Sequence, residues 1–587
     1  MDEDILLTHE RVDDIPLLIG LAQKLRLPEL LDRHIGNHGH HQGISNGWLT
    51  VVWLAFILSE GDHCKAHVQE WADRHQRTLS QLLGQGLRPV EFTDDRLGIV
   101  LRRLSNPQAW QDLEADLWES TLMVYEMAPV ESVRVDATTT YGCHSVTPDG
   151  LMQYGFSKDH RPDCAQLKLM AAAVEPHGHL LAADVHSGER PDDPLYVPLI
   201  DRVRQMLGRT GLLYVGDSKM AAFSTRADIV AHGDDYLAPL AATGADGQQM
   251  PGWIEAAVTG QQATEPILDE AGEEIGCGYE WERTLRVEAG PDAPSDLEWV
   301  ERVMVVRSVQ LAERQQRGLE QRLRAAETAI GKLTPPPGRG KRQFTQEADL
   351  SAAVEQILKQ HRVQGLLDVC WSAQERRRTR YARSGRPGPD APMHEQVSVR
   401  YVIERIQRRE EAIQAAGQRM GWRVLASSSA RERLTLPQAA LHYRGGWCLE
   451  RDFHLLKDRP LGIHPLYVHR DEQIRGLSHL LLLALRLLSL IEVQVRRGLQ
   501  DNGEKLSGLY EGQRHKQTDR PTGQRVLQCF ARSEITLTHV HLGDRVSWHL
   551  TPLTPQHYRI LAHLGLPPTL YQQLACNPAN VPGVLRE

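Results

Sequence analysis

Residues 132–140 read SVRVDATTT and decide the fold, because they predict a strand that carries an acidic residue. Ser132–Val135 is a short, β-prone run, and Asp136 follows it directly. Leu212–Val215 repeats the pattern, since a second short apolar run is followed after one residue by Asp217. Short apolar runs of this kind are typical of buried strands. We therefore predict two strands that end at aspartates.

The chain around these two runs predicts the rest of a sheet. Leu167–Val174 and His179–Val185 are apolar runs joined by Glu-Pro-His-Gly, a spacing typical of a β-hairpin. Residues 194–207 have helical periodicity, a second helix is expected to end near Ala231, and Tyr236–Leu240 predicts a strand. The resulting order is three strands, a helix, a strand, a helix and a strand. This order predicts an α/β fold with a mixed sheet flanked by helices.

The region before the sheet, residues 1–126, has the patterning of helices. Apolar residues recur at helical spacing in Leu17–Leu31 and in Trp48–Leu58. Thr93, followed by two aspartates and a periodic run to Leu104, is typical of a capped helix start. We therefore predict a helical N-terminal region.

Residues 242–420 differ in character and predict an α+β insertion. Strands are expected near Glu282–Val287 and Glu301–Arg307, with a long polar helix after them. Two segments rich in proline and glycine, 334–342 and 384–392, have the composition of linkers.

A basic segment at 376–386 begins just before the second of these linkers and runs into it. Its arginines surround Tyr381 and are Arg376, Arg377, Arg378, Arg380, Arg383 and Arg386. Arginine interleaved with tyrosine and glycine is typical of a nucleic-acid contact. A solvated linker has the same composition, so the sequence leaves both interpretations open.

The chain after the insertion returns to regular patterning. Trp422–Leu425 predicts a strand, and Thr435 to Gln438 forms a capping box that predicts a helix start. Trp447–Lys457 and Gln473–Val495 have helical periodicity. The predicted domains are the N-terminal region at 1–126, the first part of the core at 127–241, the insertion at 242–420, the second part of the core at 421–500, and a C-terminal region at 501–587.

Composition limits where the protein works. The 587 residues have a formal net charge of −9, so only local charge patterns can indicate nucleic-acid binding. The eight cysteines contain no CxxC pair and predict reduced thiols in a cytosolic protein. The acidic start MDEDILLTHE predicts no signal peptide. The most apolar run, Leu480–Leu490, is interrupted by Arg486, is too short to span a bilayer, and predicts a buried helix.

Three carboxylates stand out as a possible metal site. Asp136 and Asp217 follow predicted strands, and Glu450 lies on a predicted helix far downstream. Hard cations prefer carboxylate oxygens, and two such ions can hold the attacking and leaving oxygens of phosphoryl transfer. Strand ends and a crossing helix would make rigid supports. We therefore predict that these three residues bind two Mg²⁺ or Mn²⁺ ions and carry the catalysis.

The string YRGGWCLERDFHLLK (443–457) surrounds the glutamate with groups that suit DNA. On one continuous helix, Tyr443, Trp447, Glu450 and Lys457 fall within about 80° of one another. The lysine is suited to neutralising a phosphate, and the aromatic rings to stacking on an extruded base. This face indicates an enzyme that holds a DNA end.

With these motifs, the sequence resembles the bacterial insertion-sequence DDE transposases, specifically the branch with a Y-R-E-K signature. Tyr443, Glu450 and Lys457 match the spacing Y-x2-R-x3-E-x6-K. VDATTT (135–140) resembles the family's first aspartate strand, and VGDSKM (215–220) the second. The segment 155–169 resembles a stretch found in one subgroup, and its Lys158, His160 and Arg161 are expected to meet DNA near the active site.

The resemblance implies a DNA transposase with an RNase H-like core and a helical N-terminal DNA-binding region. It implies metal-dependent cleavage at transposon ends followed by strand transfer into target DNA. It also implies a homodimer in a synaptic complex on double-stranded DNA, in the cytoplasm and associated with the nucleoid. Two alternatives stay open. One is a catalytically silent DNA-binding descendant of a transposase, and the other is a different RNase H-like nuclease.

The sequence departs from the signature at Gly446, where the family has arginine. Two adjacent glycines are poor helix formers, so the helix that carries Glu450 is expected to begin after them. Arg444 is the nearest basic residue and could turn towards the DNA end from such a bend. We therefore expect Arg444 to supply the phosphate contact, and an arginine returned to position 446 to restore part of the activity of an Arg444→Ala variant.

Overall fold

The computed structural model describes most of the chain. The described residues are 5–127, 129–269, 271–290, 296–338, 341, 343–381, 393–464, 466–513, 515–542 and 545–576. The predicted linker at 384–392 lies outside them, as do Arg383 and Arg386 and residues 339, 340 and 342 of the other predicted linker.

The N-terminal region begins with one strand and continues as helices. Strand β1 is Ile5–Arg11, and helices α1–α7 are Ile15–Lys24, Leu27–Ile35, Asn46–Glu60, Lys65–Arg74, Gln76–Leu83, Asp94–Leu104 and Pro107–Tyr125. The predicted helical region is confirmed. The helical spacing predicted over Leu17–Leu31 is divided between α1 and α2, because Arg26 adopts φ +56° and α2 begins directly after it, with proline in its first turn.

Residues 132–239 form the predicted alternation of strands and helices. The elements are β2 Ser132–Gly142, β3 Ala165–Val174, β4 His179–Ser187, α8 Tyr196–Leu207, β5 Leu213–Gly216, α9 Phe223–Ala231 and β6 Asp235–Pro239. The strands follow the order β4-β3-β2-β5-β6. The first three are antiparallel and the last three parallel, which confirms the mixed sheet.

The predicted insertion contains both helices and strands. They are α10 Gly244–Val258, β7 Glu265–Leu268, β8 Glu274–Val287, β9 Leu297–Ser308, α11 Val309–Gly331, α12 Glu347–Gln360, β10 Leu367–Tyr381, β11 Met393–Arg408 and α13 Glu410–Gln418. The strand β12, Trp422–Ser427, follows in the predicted second part of the core. β12 pairs with β9, and β7 pairs with β8, both antiparallel. Helix α10 was not predicted, because its glycines and its internal Pro251 indicated turns.

The C-terminal part of the chain is mostly helical. Its elements are α14 Leu436–Arg444, α15 Trp447–Lys457, α16 Asp471–Asp501, β13 Leu506–Ser507, β14 Gln517–Thr518, α17 Gly523–Ala531, β15 Thr536–Leu542, β16 Arg545–Leu550, α18 Pro555–His563 and α19 Thr569–Gln572. The predicted capping box is present at the start of α14, since the amides and side chains of Thr435 and Gln438 bond reciprocally.

The chain folds into two compact units. The first comprises Met1–Ala238, Leu285–Trp299 and His442–Glu587, and the second comprises Pro239–Thr284 and Val300–Leu441. In the first unit, α16 packs against α3, α6, α17 and β4, so one helix joins the N-terminal helices to the sheet through a common core. α16 is long and apolar enough to cross a membrane, but its apolar window is entirely buried in the protein, as expected of a core helix.

Candidate active site

The strand register brings Asp136 and Asp217 to neighbouring positions. β2 and β5 run parallel, and their last pair is Val135 with Gly216. The two aspartates are therefore the next residue on each strand. The prediction that Asp136 ends its strand is wrong, because β2 continues to pair with β3 as far as Gly142. The pairing of β2 with β5 stops at Val135, directly before Asp136.

Hydrogen bonds fix the side chain of Asp217. Its Oδ1 accepts from the hydroxyl of Tyr196 at 2.7 Å and from the backbone N–H of Lys219 at 2.8 Å. Burial raises the pKa of Tyr196 well above its usual value, and the charge of Asp217 raises it further. The tyrosine therefore stays a neutral donor. The sequence offered no signal for Tyr196, because its role depends on how α8 packs against the sheet.

The charge environment of Asp136 shows that both other carboxylates act on it. Burial raises the pKa of Asp136 to about 6, while the ammonium group of Lys158 lowers it. The charges of Asp217 and Glu450 both raise that pKa further. Nearby negative charges of this kind make ionisation of Asp136 unfavourable, and a bound divalent cation would remove that penalty.

Glu450 lies on α15, and this helix begins where the sequence predicted. The helix starts at Trp447, directly after Gly445 and Gly446, and the glutamate is exposed in its first turn. The continuous helical face from position 443 to 457 is wrong, because Tyr443 lies at the end of the separate helix α14. Trp447, Glu450 and Lys457 share α15.

The three carboxylates fit hard divalent cations by their chemistry, since all their donors are oxygens. Their oxygen atoms do not all lie within 4.8 Å of one another. Within the described ranges, only Asp201, Asp228 and His232 meet that distance criterion. Those three are partly or fully exposed, and Asp201 is already paired with Arg204.

Lys158 lies inside the site. Its Nζ donates to the carbonyl oxygen of Ala137 at 2.6 Å and lies 3.2 Å from Oδ2 of Asp192. The same nitrogen is 3.9 Å from Oδ1 of Asp136. Asp192 also pairs with Lys168. The structure therefore places the ammonium group of Lys158 as a counter-charge to the carboxylates.

Lys457 and Arg161 have acidic partners as well. The ammonium of Lys457, at the end of α15, is 2.6 Å from Oδ1 of Asp159, whose other oxygen accepts from Thr139 of β2 at 3.0 Å. The guanidinium of Arg161 pairs with Asp163 and lies over the ring of Tyr141. Asp159 and Asp192 were not predicted, because an ion pair between distant segments leaves no local pattern.

The remaining predicted DNA contacts lie near the break between α14 and α15. Trp447 is 54% exposed, and the guanidinium of Arg451 lies 5.4 Å from its ring. Arg444 is exposed at the end of α14, and Tyr443 is half-buried. An exposed indole and an exposed guanidinium are suited to stacking on a base and contacting a phosphate.

Arg134 occupies the space beside the position where the signature arginine is missing. Its buried guanidinium donates to Glu175 at 2.6 Å and to the carbonyl oxygen of His442 at 2.5 Å. A Cβ atom built at Gly446 would lie 3.1 Å from Nη1 of Arg134. The sequence does contain a signal for Arg134, because an arginine within a predicted buried strand requires polar partners.

Two aspartates lie at neighbouring positions of a mixed sheet, and a glutamate on α15 is close enough for its charge to act on the first of them. This is the kind of site used in metal-dependent phosphodiester chemistry. A family model, "Transposase DDE domain", matches residues 133–487, more than half of the chain, including all three carboxylates. The chain therefore belongs to the DDE transposase family and is a DNA transposase. This sets aside other nuclease classes. Enzymes of this family use divalent metal ions and act on DNA.

The chain is similar to a solved structure described as "Cryo-EM structure of piggyBac transposase synaptic complex with hairpin DNA (SNHP)", at 10% sequence identity and a TM-score of 0.34. That match covers 99% of this chain and 88% of the other. None of the curated proteins compared with the chain matches it.

Proposed function

We propose that this transposase cuts DNA at transposon ends and joins them to target DNA, with Asp136, Asp217 and Glu450 holding two Mg²⁺ or Mn²⁺ ions. One observation carries the proposal. Asp136 lies beside Asp217 in the parallel register, and its pKa is raised by the charges of both other carboxylates. Such metal ions supply charge stabilisation and an activated nucleophile, water for cleavage and a 3′-hydroxyl for strand transfer.

The protein's own residues prepare this site. Tyr196 and the backbone amide of Lys219 orient Asp217, so that its carboxylate is preset before a cation binds. Lys158 neutralises part of the negative charge beside Asp136. Its single positive charge offsets part of the repulsion among the three carboxylates, which lowers the cost of folding before cations bind.

The DNA end is proposed to lie along the α14–α15 break. In this proposal Trp447 and Tyr443 contact an extruded base, and Arg444 contacts a phosphate. Three further basic residues lie beside carboxylates and would contact the DNA backbone near the reacting phosphate, namely Lys457, Lys158 and Arg161. The helical N-terminal region binds the transposon end, the working form is a homodimer that holds two ends, and the protein works in the cytoplasm on the nucleoid.

The test is Asp136→Asn in the full chain, assayed on duplexes that carry the inverted repeats flanking the gene. Cleavage with Mg²⁺ or Mn²⁺ should fall by at least 100-fold, because a metal ligand is lost, while end binding stays within about twofold. Asp217→Asn and Glu450→Gln should behave alike.

Asp201→Asn is the matched control. It removes a carboxylate from the other acidic group and should leave cleavage unchanged. Full cutting by Asp136→Asn, or loss of cutting in Asp201→Asn alone, would contradict the assignment.

A further inference from the structure

The second unit carries a long two-stranded ribbon formed by β10 and β11. The strands pair antiparallel from Leu367 with Arg408 to Tyr381 with Met393. At about 3.4 Å per residue, fifteen residues span about 50 Å. Arg376, Arg378 and Arg380 therefore belong to a regular strand, and the linker interpretation of this part of the basic segment is wrong.

Among the described residues of the ribbon, only those at its base pack into a hydrophobic core. Leu367, Val369, Trp371, Ile403 and Ile406 pack in a cluster with the apolar residues of α11 and α12. At the same end, Arg408 pairs with Glu320 and Glu327 of α11, at 2.8 and 2.7 Å. The distal half, residues 373–380 and 394–398, is exposed. The base thus anchors the ribbon, and its outer half is held by the backbone hydrogen bonds between β10 and β11.

The register sorts the side chains of this outer half into two different faces. Alternate residues of a strand point to the same face. Arg376, Arg378 and Arg380 share one face, and their cross-strand partners on it are Ser398, Gln396 and His394. This face, which we call the arginine face, carries no carboxylate between positions 374 and 380 or 394 and 400.

The opposite face is electrically compensated. Arg377 lies there, with its guanidinium 3.7 Å from Glu375 and 3.9 Å from Glu395. In the part of the chain that the structure describes, the three arginines of the arginine face form no ion pair. The positive charge of the ribbon is therefore confined to one face, although the whole chain is formally −9.

We propose that the arginine face of the β10–β11 ribbon binds duplex DNA in the major groove. A two-stranded β-ribbon fits this groove, which is about 12 Å wide. Guanidinium groups about 7 Å apart along one strand can reach phosphates and base edges, and Gln396 and Ser398 add polar groups beside them. The proposal rests on the proposed function, since it names a second DNA contact of the same transposase.

The experiment compares two neighbouring residues on opposite faces. Binding of the full chain to a 40-base-pair duplex is measured by fluorescence anisotropy over a series of salt concentrations. Each neutralised phosphate contributes about 0.9 to the slope of log affinity against log salt. Arg378→Ala should lower the slope by about 0.9, and Arg376→Ala with Arg378→Ala and Arg380→Ala by about 2 to 3. Arg377→Ala should leave it unchanged, because that charge is already compensated.

Further arms separate this proposal from its rivals. The triple variant Arg376→Lys with Arg378→Lys and Arg380→Lys keeps the charge and should retain most of the slope. Equal slopes for Arg377→Ala and Arg378→Ala would overturn the proposal, as would a triple variant that binds like the parent. Tighter binding of single-stranded than duplex DNA through these arginines would overturn the groove assignment. Asp136→Asn with an intact ribbon reports on catalysis alone, so failure of the proposed function is distinguishable.

Discussion

Gly446 shows how a single residue can depend on a neighbour 312 positions away. The guanidinium of Arg134 is held between Glu175 and the carbonyl oxygen of His442, and it lies against this glycine. A new side chain at 446 would begin 3.1 Å from a group that cannot easily move. Gly446→Arg is therefore expected to disturb the α14–α15 break, so for this steric reason it should not restore the activity of the Arg444→Ala variant.

Arg444 remains the basic residue best placed to contact the DNA end, since it is exposed at the end of α14. Arg444→Ala should lower cleavage and strand transfer by at least tenfold while leaving the thermal unfolding midpoint within about 1 °C, because an exposed side chain contributes little to stability. Initial rates on transposon-end duplexes measure this effect. Arg459→Ala, which removes an exposed arginine just beyond α15, is the control. A variant at 444 that cuts and transfers like the parent would refute the role.

At the scale of elements, α15 is connected to the sheet by a chain of polar contacts. Lys457 at its last turn pairs with Asp159, Asp159 accepts from Thr139 of β2, and Thr139 accepts from the backbone N–H of residue 158. β2 also carries Asp136. The contact thus joins the helix of Glu450 to the strand of the first aspartate, which gives Lys457 a positioning role beside the predicted phosphate contact.

The two roles of Lys457 predict different results for Asp159→Asn. If the ion pair positions α15, Lys457→Met and Asp159→Asn should both lower the maximal cleavage rate by about tenfold with little change in end binding. If the lysine mainly contacts phosphate, Asp159→Asn would release it and cleavage would be maintained or increased. Single-turnover rates and end-binding affinities for both variants decide between them, and Lys457→Arg should retain most activity in either case.

At the scale of the whole molecule, two buried histidines link stability to pH. His179 accepts or donates at Ser489, and His479 contacts the carbonyl oxygen of Leu104 and stacks on Trp110. Burial lowers the pKa of each to about 3, although the carbonyl contact of His479 opposes that shift. Both imidazoles therefore stay neutral in the folded protein and become protonated on unfolding below pH 6.5.

The sign of the pH effect follows from proton binding. Between pH 6.5 and 3 the unfolded chain binds more protons at these two histidines than the folded protein does. Their contribution to the free energy of unfolding is therefore fully present above pH 6.5 and is lost as the pH falls. Each histidine contributes up to about 1.4 kcal/mol per pH unit in that range. Replacing both with glutamine should flatten the fall of the thermal unfolding midpoint from pH 6.5 to 5. A double variant with the parent's slope would contradict this assignment, and His479→Gln alone should give about half of the effect.

The order of the elements and several of their ends could be predicted from the sequence alone. Periods of two and of 3.6 residues, a capping box at Thr435 and a glycine pair before Trp447 act over a few residues, so they remain readable in any tertiary context. They predicted the mixed sheet, the start of the helix that carries Glu450, and the three carboxylates. The family resemblance rested on these same local motifs.

Only the tertiary structure decided which residues meet. β1 pairs with β15, more than 500 residues away, and Lys158, Lys457 and Arg134 each have partners on other elements. The sequence also gave no way to assign three arginines to one face of a ribbon, because the face depends on the register with β11. Such contacts form when packing brings distant segments together, and their energies depend on burial and geometry that no local pattern contains.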